Sequence, residues 1–183
     1  MHAPTHHEPW RIKLLRTAAI RGLTPWPISW LMDSGSLTAR LKAHYPSFRV
    51  HVLYQGLRAP FEDERMLLGL RRGERAWVRD VLLCDGVRPL VFAHSVLPRC
   101  HVPGSWNLFA GLGARPLGEV LFTNRGISRQ PLHFQHLNRH HPLHQHMGRL
   151  AGSQPLPARR SLFYRHHKSL LVTEVFLPQN ALF

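Results

Sequence analysis

The chain has 183 residues, 44% hydrophobic and 19% charged, with 24 Lys and Arg against 10 Asp and Glu, a formal net charge of +14, and 15 His besides. Length and apolar content suit one domain with its own core, exclude wholesale disorder, and leave no run of about 20 apolar residues to cross a membrane as a helix. Arg11, Lys13, Arg16 and Arg21 interrupt the apolar stretch that a signal peptide needs, so a cytoplasmic location is expected.

Residues 1–26 read as a leader ahead of the fold, and the remainder as a single domain running to residue 183. Pro25 and Pro27 precede a helical stretch around Trp30, Leu31 and Met32. In SLTARLKAHY (36–45), Leu37, Leu41 and His44 fall at helical spacing, with Ser34 or Ser36 as cap and Pro46 as terminator. From Phe48 to Tyr54 the period changes to two, the mark of a strand. Residues 58–73 form a charged connector with room for one helical turn. ERAWVRDVLLC and VRPLVFAHSVLP are two strands joined at Asp85-Gly86, a strong hairpin signal. Residues 99–115 read as loop and short helix, 116–122 as an apolar stretch, 126–134 as a strand, and 135–157 as a His- and Pro-rich loop. Two last strands, from Arg159 and from Leu170, join around Lys168-Ser169. Helices first, then hairpin-linked strands, argue for an α+β fold with a single antiparallel sheet. No glycine-rich phosphate loop appears, so no nucleotide cofactor is implied.

Two charges stand in unusual places. Trp77, Arg79, Val81 and Leu83 share one strand face; Leu170, Val172, Glu174 and Phe176 share another. A charge on an apolar face costs several kcal/mol unless it is paired. The two therefore pair with each other or with backbone, or they equip an apolar pocket with one fixed cation and one acid. Such a pocket suits a small cyclic carboxylate.

The stretches AWVRDVLLCDG (76–86), LGARPLGEVLFTNRGISR (112–129) and SLLVTEVFLP (169–178) closely resemble the chorismate pyruvate-lyase family. The resemblance implies helical flaps closing over a buried ligand, and cleavage of chorismate to 4-hydroxybenzoate and pyruvate with no metal or organic cofactor. It places the family's carboxylate-binding arginine on Arg79 and its acid on Glu174, close to the ring hydroxyl. Two backbone amides that touch the ligand fall on Leu117, in the PLG motif, and near Leu37, in GSLTARL. Two departures are visible: the segment from about Pro131 to Pro157 is long and rich in His, and His94 stands where the family has an arginine. Aromatisation drives the reaction, so the protein need only hold, orient and polarise. Arg79 would fix the ring carboxylate by a bidentate contact. Glu174 would act near the hydroxyl-bearing carbon or the departing ether oxygen. Apolar surroundings favour its protonated form and a nearby Arg79 the ionised one, so its protonation state stays open at this point.

The remaining features point less sharply. Arg is scattered along the chain and Lys occurs only at 13, 42 and 168, without a zinc-finger, RNP or helix-turn-helix pattern. The charge then attracts a small anion rather than a dedicated nucleic-acid partner. Six histidines fall between His133 and His146, with His136, His140 and His144 spaced by four. Pro142 interrupts the run and no carboxylate or cysteine joins it, so no metal is expected there. Cys84 reads as a reduced core residue and Cys100 as a loop residue, with nothing requiring a disulfide. A non-catalytic carboxylate sensor of the same fold is the main alternative; sensors of that kind carry an N-terminal DNA-binding domain, for which 26 residues are few. A monomer is expected.

Overall fold

The computed structural model describes residues 9–11 and 26–178. The leader expected over residues 1–26 lies mostly outside the described residues. Of its described part, Arg11 forms a two-way backbone bridge with Phe134 at 3.0 and 2.7 Å, and the Trp10 ring lies 4.2 Å from the Arg160 guanidinium.

Among the described residues, seven strands form one antiparallel sheet: β1 (Phe48–Arg58), β2 (Ala76–Asp85), β3 (Arg88–Pro98), β4 (Ser128–Arg129), β5 (His133–Leu137), β6 (Leu156–Arg165) and β7 (Lys168–Phe176). Their order is β1-β2-β3-β7-β6-β4, with β5 also on β6. The α+β fold with a single antiparallel sheet is therefore present as expected. β2 and β3 are buried almost throughout, because helices cover both faces of the sheet and each strand can be apolar on both sides. One face packs α1 (Ile28–Leu31), α2 (Leu37–His44), α4 (Asn107–Ala110) and α5 (Leu117–Thr123). The reverse face packs α3 (Glu62–Leu67) and α6 (Pro142–Met147).

Local chemistry explains the boundaries. Ser36 caps α2, its hydroxyl accepting from Ala39 N at 3.2 Å. The Glu64 carboxylate reaches back to Phe61 N at 3.0 Å and so closes the first turn of α3, where three acids face the positive end of the helix dipole. Gly86 takes φ 59 at the β2–β3 turn, a conformation that only glycine adopts without cost.

The structure departs from the sequence expectations in three places. Residues 135–157 are not one loop. Phe134 and Leu137 bury themselves on β5, and α6 begins where the His141 ring accepts from Leu143 N at 3.2 Å with Pro142 in the first helical position. Leu143 and Met147, four apart, then pack into the reverse-face core. The strand expected over 126–134 is broken into β4 and β5, since Pro131 between them has no N–H to give to β6. The last hairpin turns at His166-His167, not at Lys168-Ser169; both histidines carry positive φ, 46 and 62, and Arg165 pairs with Lys168. That is the backbone a two-residue hairpin with right-handed strand twist demands.

Candidate active site

Sheet register places the two unusual charges together. Arg79 lies opposite Gln55 and Ser95, and Ser95 lies opposite Val172. Glu174 lies opposite Ala93, which lies opposite Val81. Residues facing each other across an antiparallel ladder share a face. Arg79 and Glu174 thus stand on adjacent rungs of one face, and β3 lies between their strands. A single cavity opens there. Arg79, Glu174, Leu37 and Leu117 all line it, with Val81, Leu83, Ala93 and Val172 as its apolar floor.

Arg79 is 1% exposed. Its Nε donates to Gln55 Oε1 at 3.1 Å, and its Nη2 donates to the carbonyls of Gly113 and Arg115 at 2.9 and 3.1 Å. Among the described residues, Nη1 has no protein partner and no carboxylate forms an ion pair with the group. Burial alone pushes the guanidinium below its ordinary value. The side chain is a positioned, desolvated cation with a donor to spare.

Glu174 does not pair with Arg79. Its Oε2 accepts from Arg159 Nε at 2.6 Å. Arg159, directly opposite on β6, is fully buried. Its Nη1 donates to the carbonyls of Trp30, Leu31 and Asp33 at 3.1, 3.2 and 2.6 Å. One guanidinium therefore satisfies the open C-terminal end of α1 and fixes the carboxylate in the cavity. The expectation that Arg79 supplies the cation beside Glu174 is corrected: that cation is Arg159. Sequence reading missed it because it placed Arg159 at the first position of the strand, where a charged side chain is unremarkable. The strand begins at Leu156, and the alternation Arg159, Ser161, Phe163 on the Glu174 face is the signal that was available.

The roof is two helix N-termini. Leu37 and Leu117 each open a helix, so their backbone N–H groups have no intrahelical acceptor. α2 and α5 touch where Gly118 meets Thr38; a Cβ built on Gly118 would lie 2.6 Å from Thr38 Oγ1 and 3.1 Å from Thr38 Cβ. Lys42 of α2 pairs with Glu119 of α5 across the same seam. Arg129 of β4 also lines the cavity. Arg129 and Gln55 are two more functional candidates that the sequence reading did not single out.

A second polar cluster lies behind this site, on the reverse face. His94 Nδ1 is 2.5 Å from Asp80 Oδ1, and its Nε2 is 3.0 Å from Glu64 Oε1. His146 Nε2 is 2.8 Å from Asp80 Oδ2, and the Arg58 guanidinium approaches both, at 3.1 and 3.5 Å. Burial alone would push His94 down, but the Glu64 and Asp80 carboxylates outweigh it and pull the imidazole up to about 10. Burial likewise favours the neutral form of Asp80, yet His146 and His94 hold its carboxyl well below the usual range. Asp80, His94 and His146 bring three possible metal-ligand atoms within 4.8 Å of one another. Those atoms already face one another at hydrogen-bonding distance with Arg58 beside them, which makes the cluster a self-compensated ion network. His144 instead faces the Gln154 carbonyl at 3.3 Å. Cys84 is a buried free thiol and Cys100 an exposed one. Among the described residues, no helix is long and apolar enough to cross a membrane.

The fold and the cavity define a class: a single-sheet α+β protein with a cavity that a buried cation and a carboxylate line beneath two helix N-termini. Solved structures share the fold, among them a GntR-family transcriptional regulator from Bacillus cereus (TM-score 0.55, 13% identity, covering 75% of this chain and 96% of that one). The C-terminal domain of the histidine utilization repressor from Pseudomonas syringae is similar (TM-score 0.51, 9% identity, covering 73% and 93%). Sequence similarity is more specific. A protein of Aromatoleum aromaticum named probable chorismate pyruvate-lyase is 48% identical over 183 residues, covering 97% of this chain and 96% of that one. A protein of the same name from an Azoarcus species is 46% identical over 185 residues, covering 97% and 95%. The chorismate lyase family model matches residues 9–183, and the chain belongs to that family. By that membership it is a lyase.

Proposed function

We propose that this protein cleaves chorismate to 4-hydroxybenzoate and pyruvate, the first committed step toward ubiquinone. One observation carries the reading: an unneutralised buried arginine and an anchored carboxylate face one apolar cavity from adjacent rungs of the sheet.

Arg79 binds the ring carboxylate through Nη1, the one guanidinium nitrogen without a partner among the described residues, rather than by the bidentate contact expected from the sequence. The Val81, Leu83, Ala93 and Val172 side chains hold the ring by its faces. The N–H groups of Leu37 and Leu117 close on the ligand from the two flaps. Glu174, held as the carboxylate of an ion pair, accepts from the ring hydroxyl and stands ready for the proton on the carbon that bears it. The balance is an elimination. That proton leaves, the neighbouring carbon–oxygen bond breaks, and the departing enolpyruvate takes up a proton to become pyruvate. The ring gains aromaticity, so the residues need only fix geometry and shield the charges from water. Mixing the purified protein with chorismate and following 4-hydroxybenzoate absorbance is the test. Steady product formation is expected; none under any condition that preserves the fold overturns the activity.

A further inference from the structure

This inference rests on the activity just proposed and concerns how the substrate is told from its product. Chorismate carries two carboxylates and 4-hydroxybenzoate one. Arg79 accounts for the ring carboxylate. The carboxylate on the three-carbon leaving group also enters a water-poor cavity, where an unpaired charge costs several kcal/mol.

The described cations near the cavity can be compared. Arg159 has Nε on Glu174 and Nη1 on three carbonyls; its Nη2 is also buried without a partner, but the residue does not line the cavity. Lys42 is committed to Glu119 on the outer seam. Arg129 remains. It lines the cavity. Its Nη1 donates to Ser34 O at 2.8 Å, and its guanidinium carbon lies 5.4 and 5.3 Å from the Phe122 and Phe163 ring centroids. Among the described residues no carboxylate forms an ion pair with it, although Glu174 and Asp33 lie close enough to act on its charge. Its Nε is buried without a hydrogen-bond partner. A buried donor left unmade is destabilising, a penalty that a bound anion removes.

Its placement also matches the shape of the substrate. In the sheet order, β7 with Glu174 stands between β2 with Arg79 and β4 with Arg129. A ring with its carboxylate on Arg79 and its hydroxyl on Glu174 therefore has Arg129 beyond the hydroxyl, on the far side of the ring from Arg79. The leaving group is attached to the carbon next to the hydroxyl. We propose that Arg129 binds the carboxylate of the leaving three-carbon group, forming a second anion subsite that the monocarboxylate product does not fill.

The test compares a dicarboxylate with a monocarboxylate on the same variants. In Arg129→Gln, kcat/KM for chorismate is expected to fall by about 30-fold or more, the low end for truncating a buried charge contact. The Kd for 4-hydroxybenzoate, measured by calorimetric titration, should change less than about threefold. Arg129→Lys keeps the charge without the planar fork and should recover part of the chorismate loss. It also keeps the comparison available should the Gln variant fail to fold. Equal losses for both ligands would make Arg129 a structural residue, and unchanged chorismate kinetics would remove it from the site; either result overturns the subsite. A parent protein that yields no 4-hydroxybenzoate overturns the activity instead. Chorismate binding to parent and variants would then still test the subsite.

Discussion

Arg159 donates from Nε to Glu174 Oε2 at 2.6 Å, and the same guanidinium holds three carbonyls at the end of α1. Removing one partner of a buried ion pair costs roughly 3–5 kcal/mol. Arg159→Met should therefore lower the melting temperature by about 6–20 °C, at about 2–4 °C per kcal/mol for a chain of this size. A structural role alone would stop there. Since Arg159 also aims the cavity carboxylate, Arg159→Lys should fold better than Met yet show a depressed kcat with little change in KM. Parent-like kcat in the Lys variant would end the positioning role.

Arg79 and Glu174 should separate by what they disturb. Arg79→Ala should weaken 4-hydroxybenzoate binding by roughly 2–5 kcal/mol, the cost of truncating a buried charged contact. Glu174→Gln keeps the shape and a hydrogen bond to the ring hydroxyl but cannot take a proton. It should bind product within an order of magnitude of the parent and lose turnover. Calorimetric titration with stopped-assay kinetics reads both. Parent-rate turnover by Glu174→Gln would remove proton transfer from its role.

How much of this could be read from the sequence follows from the range of each signal. Arg79 and Glu174 were visible because each interrupts an apolar stripe within its own strand. β2 and β3 were visible for the same local reason, with Asp85-Gly86 marking the turn. The Arg159–Glu174 pair was not, because it depends on register between β6 and β7 and on where β6 begins. Arg129 was hidden in a two-residue strand whose partner face is set by Phe163, far along the chain. α6 was missed because histidines and a proline resemble a loop by composition. Only its burial of Leu143 and Met147 against the reverse face selects the helix.

The seam between the flaps predicts a rescue. Gly118→Ala places a methyl against Thr38, whose Oγ1 lies 2.6 Å from the new Cβ position. Since Gly118 and Thr38 sit on the two roof helices, the clash should part the flaps and weaken product binding by tenfold or so, about 1.4 kcal/mol. Thr38→Ala removes the nearest atom. The double variant should regain part of the affinity, a coupling of the kind expected for touching residues. Strictly additive losses would show that the flaps do not meet at this point.

The reverse-face network predicts a pH effect on stability. His94 is raised from its ordinary 6.5 to about 10 by Glu64 and Asp80, with His146 and Arg58 also facing Asp80. A raised imidazole stabilises the fold fully below the unfolded value and loses that contribution as pH climbs through the folded one. Stability should therefore decline between about pH 6.5 and 10. His94→Arg keeps a cation between the two carboxylates throughout and should flatten this part of the profile. Urea titrations at several pH values would show it, and a parent profile already flat across the window would contradict the charged state of His94.

The last hairpin offers a stabilising change. His166 and His167 both occupy left-handed backbone, φ 46 and 62. That conformation costs an ordinary side chain roughly 1–2 kcal/mol, and Asn and Gly meet it more easily. The pair His166→Asn and His167→Gly should raise stability by about 1 kcal/mol and the melting temperature by about 2–4 °C. The turn lies beyond the paired ends Arg165 and Lys168, outside the cavity, so turnover should stay at the parent level. A lower melting temperature would mean that the histidine side chains make contacts worth more than the backbone strain they impose.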